Sequence, residues 1–319
     1  MKKTSDENTL MKTMDSDHGA GDSEREATGN MKNKPVSIII PVYNEEKAIV
    51  QQIESIEHVL NQKGIMHEII VVDDGSSDRT REKALTTNVR VMFHKENKGY
   101  GAALKTGINA ASYETVVTID ADGTYPADAI PELLKNADEY DMVVGARIGS
   151  NVQIPFIRKP AKWFLRKLAE YLAGRKIPDL NSGLRVMKKS LVERFHHILP
   201  SGFSFTTTMT LALYCNDYSI YYHPIDYNHR IGNSKIRPFD TYRFLILILR
   251  TIVYFNPLKV FLPLGGILFA MGFAKFIYDL FLANLSESAI LGFLGASIIW
   301  AIGLLSDQIA KIGLGSRLK

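Results

Sequence analysis

Val36-Ser37-Ile38-Ile39-Ile40-Pro41-Val42-Tyr43-Asn44-Glu45 is the stretch that decides the fold. A short β-branched run reads as a buried strand. It ends in a proline, an aromatic and a carboxylate, not in a glycine-rich phosphate turn. Working outward, four more such runs follow: Glu68–Val72, Val89–Phe93, Thr115–Ile119 and Met142–Val144. Between them, helices are expected over Glu45–Leu60, Asp78–Leu85, Gly101–Ala111 and Ala127–Ala137, the first with Asn44 as its N-cap. Strand–helix alternation predicts an α/β fold with a mostly parallel sheet and helices on both faces. Ligands bind such sheets at the carboxyl ends of the strands, so the residues following each strand carry the chemistry.

Three of those loops are acidic. Tyr43 and Glu45 follow the first strand, Asp73-Asp74-Gly75-Ser76-Ser77 the second, and Asp120-Ala121-Asp122-Gly123 the fourth. An aromatic beside a carboxylate suits a base better than a phosphate. A carboxylate after the second strand suits a base N–H or a ribose hydroxyl; a plain tight turn is the alternative. Asp120 and Asp122, spaced i and i+2, would point the same way on an extended chain. Two such carboxylates repel unless a hard divalent cation, Mg²⁺ or Mn²⁺, lies between them.

These three motifs, in this order and spacing, resemble the family 2 glycosyltransferases of the GT-A fold, and among them the polyprenyl-phosphate glycosyltransferases of the dolichyl-phosphate mannose synthase type. The resemblance covers roughly Val36 to Lys235 and extends to C-terminal membrane helices. It implies that Pro41, Tyr43, Glu45, Val72, Asp74, Asp120, Ala121 and Asp122 line the nucleotide-sugar pocket. Asp120 and Asp122 would be the metal positions. Arg147 matches a Gly-x-Arg position at the sugar and phosphate end, and Arg230 and Lys235 match a basic loop that contacts phosphate, so Asp122, Arg147, Arg230 and Lys235 are the expected catalytic residues. Asp179-Leu180-Asn181-Ser182-Gly183-Leu184-Arg185 resembles an acceptor-side segment. The chain departs from the family at Thr124, where many members carry Gln.

The implied reaction is inverting transfer of a hexose from a nucleotide-diphosphate sugar, of GDP-mannose or UDP-hexose type, to a dolichyl or undecaprenyl phosphate. A processive family 2 polysaccharide synthase is one competing reading, but the Gln-x-x-Arg-Trp motif usual there is missing. A non-catalytic nucleotide-sugar-binding membrane module is another, and the intact Asp120/Asp122 pair argues against it.

The chain ends differ from its middle. The first 30 residues hold four basic and seven acidic side chains and no aromatic, so they are expected to be a disordered tail, taken to run to residue 34. They also lack the apolar stretch of a secretory signal. A GT-A domain is expected over 35–235 and an interfacial amphipathic helix over 236–256, with a polar stripe of Asp240, Arg243, Arg250 and Thr251; a core helix of the soluble domain is the alternative. A two-helix transmembrane hairpin over 257–312 and a short tail over 313–319 complete the chain. Leu258–Ala283 and Ala289–Ala310 are the expected spans. A four-residue spacing of Gly266, Ala270 and Ala274, and of Gly292 and Ala296, suggests the faces on which they meet, while Lys275 is expected to snorkel outward. Basic residues flank the hairpin (Arg243, Arg250 and Lys259 before it, Lys311, Arg317 and Lys319 after it) and none lies in its loop. The positive-inside rule therefore puts the catalytic domain and both termini in the cytoplasm.

Phe156–Lys176 carries seven basic residues and one acid among aromatics, which suits anionic lipid headgroups as well as it suits a solvated helix face. The net charge of +4 on 319 residues gives no reason to expect nucleic acid. The single cysteine, Cys215, excludes an internal disulfide, and His196, His197, His223 and His229 do not form a metal pattern.

Overall fold

The computed structural model describes residues 34–148, 166–171, 173–202, 204–226, 240–282 and 286–315. The N-terminal tail, the basic residues Arg158, Lys159 and Lys162, and Arg230 and Lys235 lie outside the described residues. All five expected strands form: β1 (Val36–Val42), β2 (His67–Asp73), β3 (Arg90–Phe93), β4 (Thr115–Thr118) and β5 (Met142–Ala146). Two further strands, β6 (Arg185–Lys188) and β7 (Ile220–Pro224), complete a seven-stranded sheet of order β3-β2-β1-β4-β6-β5-β7. Every pairing is parallel except those of β6, which runs against both β4 and β5.

The strands alternate between two cores. Ile38, Ile40, Ile69 and Val71 face one side, against Ile49, Ile53, Ile56 and Leu60 of α1 (Ile49–Gln62) and Ile130 and Leu133 of α4 (Ala129–Leu134). Ile39, Ile70 and Val72 face the other, against Ala103, Leu104 and Ile108 of α3 (Tyr100–Ala110), Leu191 and Val192 of α5 (Lys189–Phe195), and Met209 of α6 (Phe205–Cys215). Each fully buried Ile or Leu contributes ~1.5–3 kcal/mol relative to exposure. A short helix, α2 (Thr80–Leu85), packs beside β2 and β3 with Ala84 in the first of these cores.

Two local expectations are corrected. The helix expected from Glu45 starts at Ile49, and Asn44 is not its cap. Asn44 takes a left-handed φ of 53°, which asparagine tolerates, and its side-chain oxygen accepts from the Ser77 N–H at 2.8 Å. The chain also turns at residues 121–123, with Gly123 at φ 72°, so the alternation of an extended strand does not reach Asp122.

Among the described residues, the C-terminal part holds three helices. On α7 (Asp240–Phe255), Ile248, Thr251 and Ile252 are buried, whereas Ile246, Arg250 and Tyr254 remain accessible. Thr251 thus belongs to the buried face and not to a polar stripe with Arg250. Ile248 and Ile252 pack with Ala169, Ala173, Ile177 and Leu211, which docks α7 on the sheet domain. The helices α8 (Leu258–Phe281) and α9 (Glu287–Gly315) form an antiparallel hairpin. Both are long and apolar enough to cross a membrane, and the 24 residues of α8 span ~36 Å against ~30 Å of hydrocarbon.

Their seam has a seven-residue period on each helix; the expected Gly292 and Ala296 lie on it, whereas the expected Gly266, Ala270 and Ala274 do not. Gly265, Gly272 and Asp279 are buried on α8, and Ala289, Ala296 and Gly303 on α9, while Ala270 and Ala274 face outward. A seven-residue repeat keeps one stripe inward in a left-handed crossing. At its tightest point a Cβ on Gly292 would lie 2.7 Å from the Gly272 Cα. Lys275, instead of extending alone, pairs with Asp279, whose carboxylate also accepts from the Ser286 N–H and hydroxyl at the hairpin end.

Candidate active site

The strand ends meet along one edge. The Asp74 N–H donates to the Val42 carbonyl at 2.9 Å, and the Ile119 N–H to Ile39 at 3.1 Å, so the loops after β1, β2 and β4 are neighbours. The first two are stitched together side chain to backbone. Asn44 N–H donates to Ser76 Oγ (2.9 Å), Glu45 N–H to Thr80 Oγ1 (2.8 Å) and Glu46 N–H to Asp78 Oδ2 (3.3 Å). Tyr43 and Glu45 are half-buried on this interlock.

Adjacent Asp73 and Asp74 do different work. Asp73 is fully buried; one oxygen accepts from the Ser76 N–H at 3.0 Å and the other from Arg81 Nε at 3.0 Å. Asp74 reaches the loop that follows β3, accepting from His94 Nδ1 (2.7 Å) and from the Lys98 (2.9 Å) and Gly99 (2.8 Å) N–H groups. His94 Nε2 is in turn 2.9 Å from Thr106 Oγ1 on α3. Pro41, Val72 and Ala121 are buried. The Val72 side chain belongs to the α3-side core and the Ala121 methyl to the opposite one, so their backbones are what they bring to the edge.

Asp120 and Asp122 sit in the turn beyond β4. Tyr100, the first residue of α3, donates its hydroxyl to Asp120 Oδ1 at 2.8 Å. Burial, and after it the charge of Asp120, pushes the Tyr100 hydroxyl well above the ordinary tyrosine value, so it stays a donor. Asp122, 6% exposed, accepts from the Thr124 N–H (3.2 Å) and hydroxyl (2.5 Å). Thr124, the departure from the family pattern, therefore steadies Asp122. Among the described residues no cluster of three or more His, Cys, Asp or Glu side chains exists. Two carboxylates, with the remaining oxygens left to phosphates and water, nonetheless fit a Mg²⁺- or Mn²⁺-type donor set.

The segment 179–185 closes on this turn. A Cβ on Gly183 would lie 2.5 Å from Asp120 Oδ2, so only glycine fits there. The Gly183 N–H donates to Tyr125 Oη at 2.7 Å, and its carbonyl accepts from Thr118 Oγ1 at 2.8 Å. Arg147, at the end of β5, forks onto Asp179 through Nε (2.7 Å) and Nη2 (2.8 Å). Burial alone would raise the Asp179 carboxyl; the Arg147 fork and the N–H groups of Arg147 and Asn181 more than offset it and hold the carboxyl below the usual aspartate value.

Behind this segment lies Arg185, fully buried. It donates to the Ser182 carbonyl (2.8 Å), the Leu180 carbonyl (3.0 Å) and Thr210 Oγ1 (2.7 Å). Burial lowers its pKa from the usual arginine value.

The structure thus brings Asp120, Asp122 and Arg147 to the sheet edge that carries the loops of Tyr43, Glu45 and Asp74. Sequence reasoning missed His94, Tyr100, Tyr125 and the Asp179 fork. His94 had a signal, since it is the first residue after β3. Tyr125 had none, because long-range closure placed it; Asp179 stood in the segment that resembles the acceptor side, but nothing in the sequence paired it with Arg147.

Residues 37–195 match the glycosyl transferase family 2 profile, and residues 256–312 match the GtrB C-terminal hairpin. The chain is 31% identical over 206 residues to a dolichyl-phosphate hexose transferase of Haloferax volcanii, covering 64% of this chain and 87% of that one. It is 33% identical over 168 residues to an undecaprenyl-phosphate 4-deoxy-4-formamido-L-arabinose transferase of Edwardsiella ictaluri, covering 51% of each. Among solved structures it resembles glucosyl-3-phosphoglycerate synthase from Mycobacterium tuberculosis, crystallised with Mn²⁺, uridine diphosphate and phosphoglyceric acid. That match has a TM-score of 0.57 at 21% identity and covers 72% of this chain and 82% of the other, a likeness of fold. With the acidic sheet edge, the GT-A-like topology and these relatives together, the chain belongs to glycosyl transferase family 2 and is a glycosyltransferase.

Proposed function

We propose that this chain transfers a sugar from a nucleotide-diphosphate sugar to a polyprenyl phosphate at a membrane surface. The observation that carries the proposal is the continuity of the molecule. One sheet edge gathers Asp120, Asp122 and Arg147, and the same domain is docked through α7 onto a hairpin long and apolar enough to span a bilayer.

The loops of Tyr43, Glu45 and Asp74 take the nucleoside. Asp120 and Asp122 hold a divalent ion, which when bound neutralises charge gathering on the departing diphosphate. Tyr100 and Thr124 keep those two carboxylates turned to the site before substrate arrives, and such preorganised charge is usually the largest catalytic contribution. Arg147, fixed by Asp179, stands at the sugar and phosphate end. Arg230 and Lys235 supply further positive charge for phosphate. The acceptor phosphate is already anionic at neutral pH, with a second pKa of about 6, so it needs positioning more than deprotonation. Direct attack inverts the anomeric centre.

The catalytic domain and both termini lie in the cytoplasm. Lys167, Arg175 and Lys176, beside the start of α8, meet anionic headgroups.

The test of the reaction is a panel of nucleotide sugars offered to the purified chain with polyprenyl phosphates of several lengths, reading lipid-linked sugar by mass. Turnover of every donor only onto free hydroxyl acceptors would sink the proposal. Orientation is tested by cysteine labelling in intact cells. Cys215 is a quiet background, because burial pushes its thiol up to about 11. A cysteine at Ser286 should react with an impermeant reagent, and one at Lys319 should not.

A further inference from the structure

The pocket reading leaves the donor base open between guanine and uracil, and the surroundings of Asp74 decide between them. An ionised carboxylate offers about four acceptor directions, two on each oxygen. Here Oδ1 accepts from His94 Nδ1 at 2.7 Å and from the Lys98 N–H at 2.9 Å, and Oδ2 accepts from the Gly99 N–H at 2.8 Å. Oδ1 is filled, and one direction is left, on Oδ2. Because an ionised carboxylate only accepts, the His94 ring presents its Nδ1–H to Asp74. The ring is held at its far side as well, by Thr106 Oγ1 at 2.9 Å. Both partners are buried, with side-chain exposures of 8% for His94 and 4% for Asp74, so the opening left to a ligand is narrow.

Guanine presents two neighbouring donors, N1–H and the exocyclic N2–H, which pair with both oxygens of one carboxylate. Uracil presents a single donor, N3–H, between two carbonyl acceptors. We infer that the donor of this enzyme is a uridine diphosphate sugar and not a guanosine one, and that His94 imposes the choice by filling the Asp74 oxygen that the second guanine donor needs. The inference rests on the reading that Asp74 faces the nucleobase. Guanine placed there leaves one N–H without a partner in a desolvated pocket, and sites of this kind discriminate strongly against mismatched polar groups.

The experiment is calorimetric titration of the full chain in detergent, with Mn²⁺ present, by UDP and separately by GDP. UDP should bind at least about tenfold more tightly, equivalent to ~1.4 kcal/mol. GDP binding as tightly as UDP, or more so, overturns the base assignment while leaving the glycosyltransferase reading intact. Binding of neither nucleotide defeats the nucleotide-site reading and this inference with it. The role of His94 is tested by substitution. His94→Met removes the donor, opens one direction on Oδ1 beside the Lys98 N–H, and should bring the UDP-to-GDP ratio toward one, mainly by tightening GDP. His94→Gln restores an N–H donor and should restore the ratio. An unchanged ratio in folded His94→Met overturns the role of His94. Should that variant not fold, Thr106→Val, which unties the ring without removing it, should lower the ratio part of the way, and an unchanged ratio there counts against His94 equally.

Discussion

The acidic sheet edge and the C-terminal hairpin solve the same problem, holding two chain segments in one register, by opposite means. At the edge, loops are tied by polar side chains reaching neighbouring backbone: Asn44 with Ser76 and Ser77, Asp74 with Lys98 and Gly99, Arg185 with Leu180 and Ser182. In the hairpin the work is done by side chains that are missing or small, at Gly265, Gly272, Gly292, Ala296 and Gly303. The difference fits the solvents that the two regions suit, water at the edge and hydrocarbon along two helices apolar enough to cross a membrane. Within a watery protein, apolar burial leaves loop polar groups to be satisfied one by one, and each tie also selects a conformation. Between helices in hydrocarbon, apolar burial gives no preference for the partner over lipid, so close backbone approach supplies it.

The comparison breaks most sharply at Asp122. Asp122→Asn removes charge without volume, and sugar transfer should fall by about a thousandfold or more, ~4 kcal/mol, while detergent extraction and hairpin stability stay as before. Normal turnover, or activity surviving excess chelator, would remove the metal from the account. Arg230→Ala should lower transfer by about a hundredfold with the nucleoside diphosphate still bound, and Arg230→Lys should recover little, because an ammonium cannot reproduce a planar fork. Loss of nucleotide binding there would assign Arg230 to the donor diphosphate.

Smaller effects belong to stability. Arg185→Leu leaves two carbonyls and the Thr210 hydroxyl without their donor, and should destabilise the sheet domain by about 3 kcal/mol in thermal or denaturant unfolding. Gly272→Leu should pry α8 from α9 and cost the hairpin about 2 kcal/mol, with nucleotide affinity unchanged. If it instead abolished nucleotide binding, the two regions would be one cooperative unit. Trp300→Phe, which deletes the Nε1–H donated to the Leu262 carbonyl at 3.2 Å and shrinks the ring that packs on Gly265 and Phe269, should cost ~1 kcal/mol.

The same contrast governs what was legible in the sequence. β1 to β5 are contiguous apolar runs between turn residues, so each was found within about two residues of its bounds. β6 was hidden because its first residue, Arg185, is a charge on a buried strand, satisfied by groups distant in sequence or tucked into a loop. The start of α1 moved because Asn44 found a better partner across the loops than its own helix. At the site, residues at strand ends were within reach of sequence, since topology alone puts them on one edge. Their supports were not, because Tyr125 and Asp179 act through contacts made only when the segment after β5 returns. In the hairpin both helices were plain from composition, whereas their facing stripe needed the seven-residue period of Ala289, Ala296 and Gly303.

The reversed strand β6 has a consequence for how such a molecule changes over generations. The chain leaves the sheet at Ala146 and re-enters beside the same point: the Gly145 N–H donates to the Leu184 carbonyl at 2.9 Å, and Ser182 Oγ to the Gly145 carbonyl at 2.5 Å. Residues 147–184 are therefore an excursion whose two ends are clasped, with Arg147 and Asp179 as an inner clasp. Lengthening a closed loop is inexpensive, ~0.6 kcal/mol for each doubling, and leaves the strands on either side where they were. The segment between β5 and β6 can thus be exchanged as a cassette while the loops after β1 and β2, built from earlier chain and fastened to one another, are carried forward unchanged.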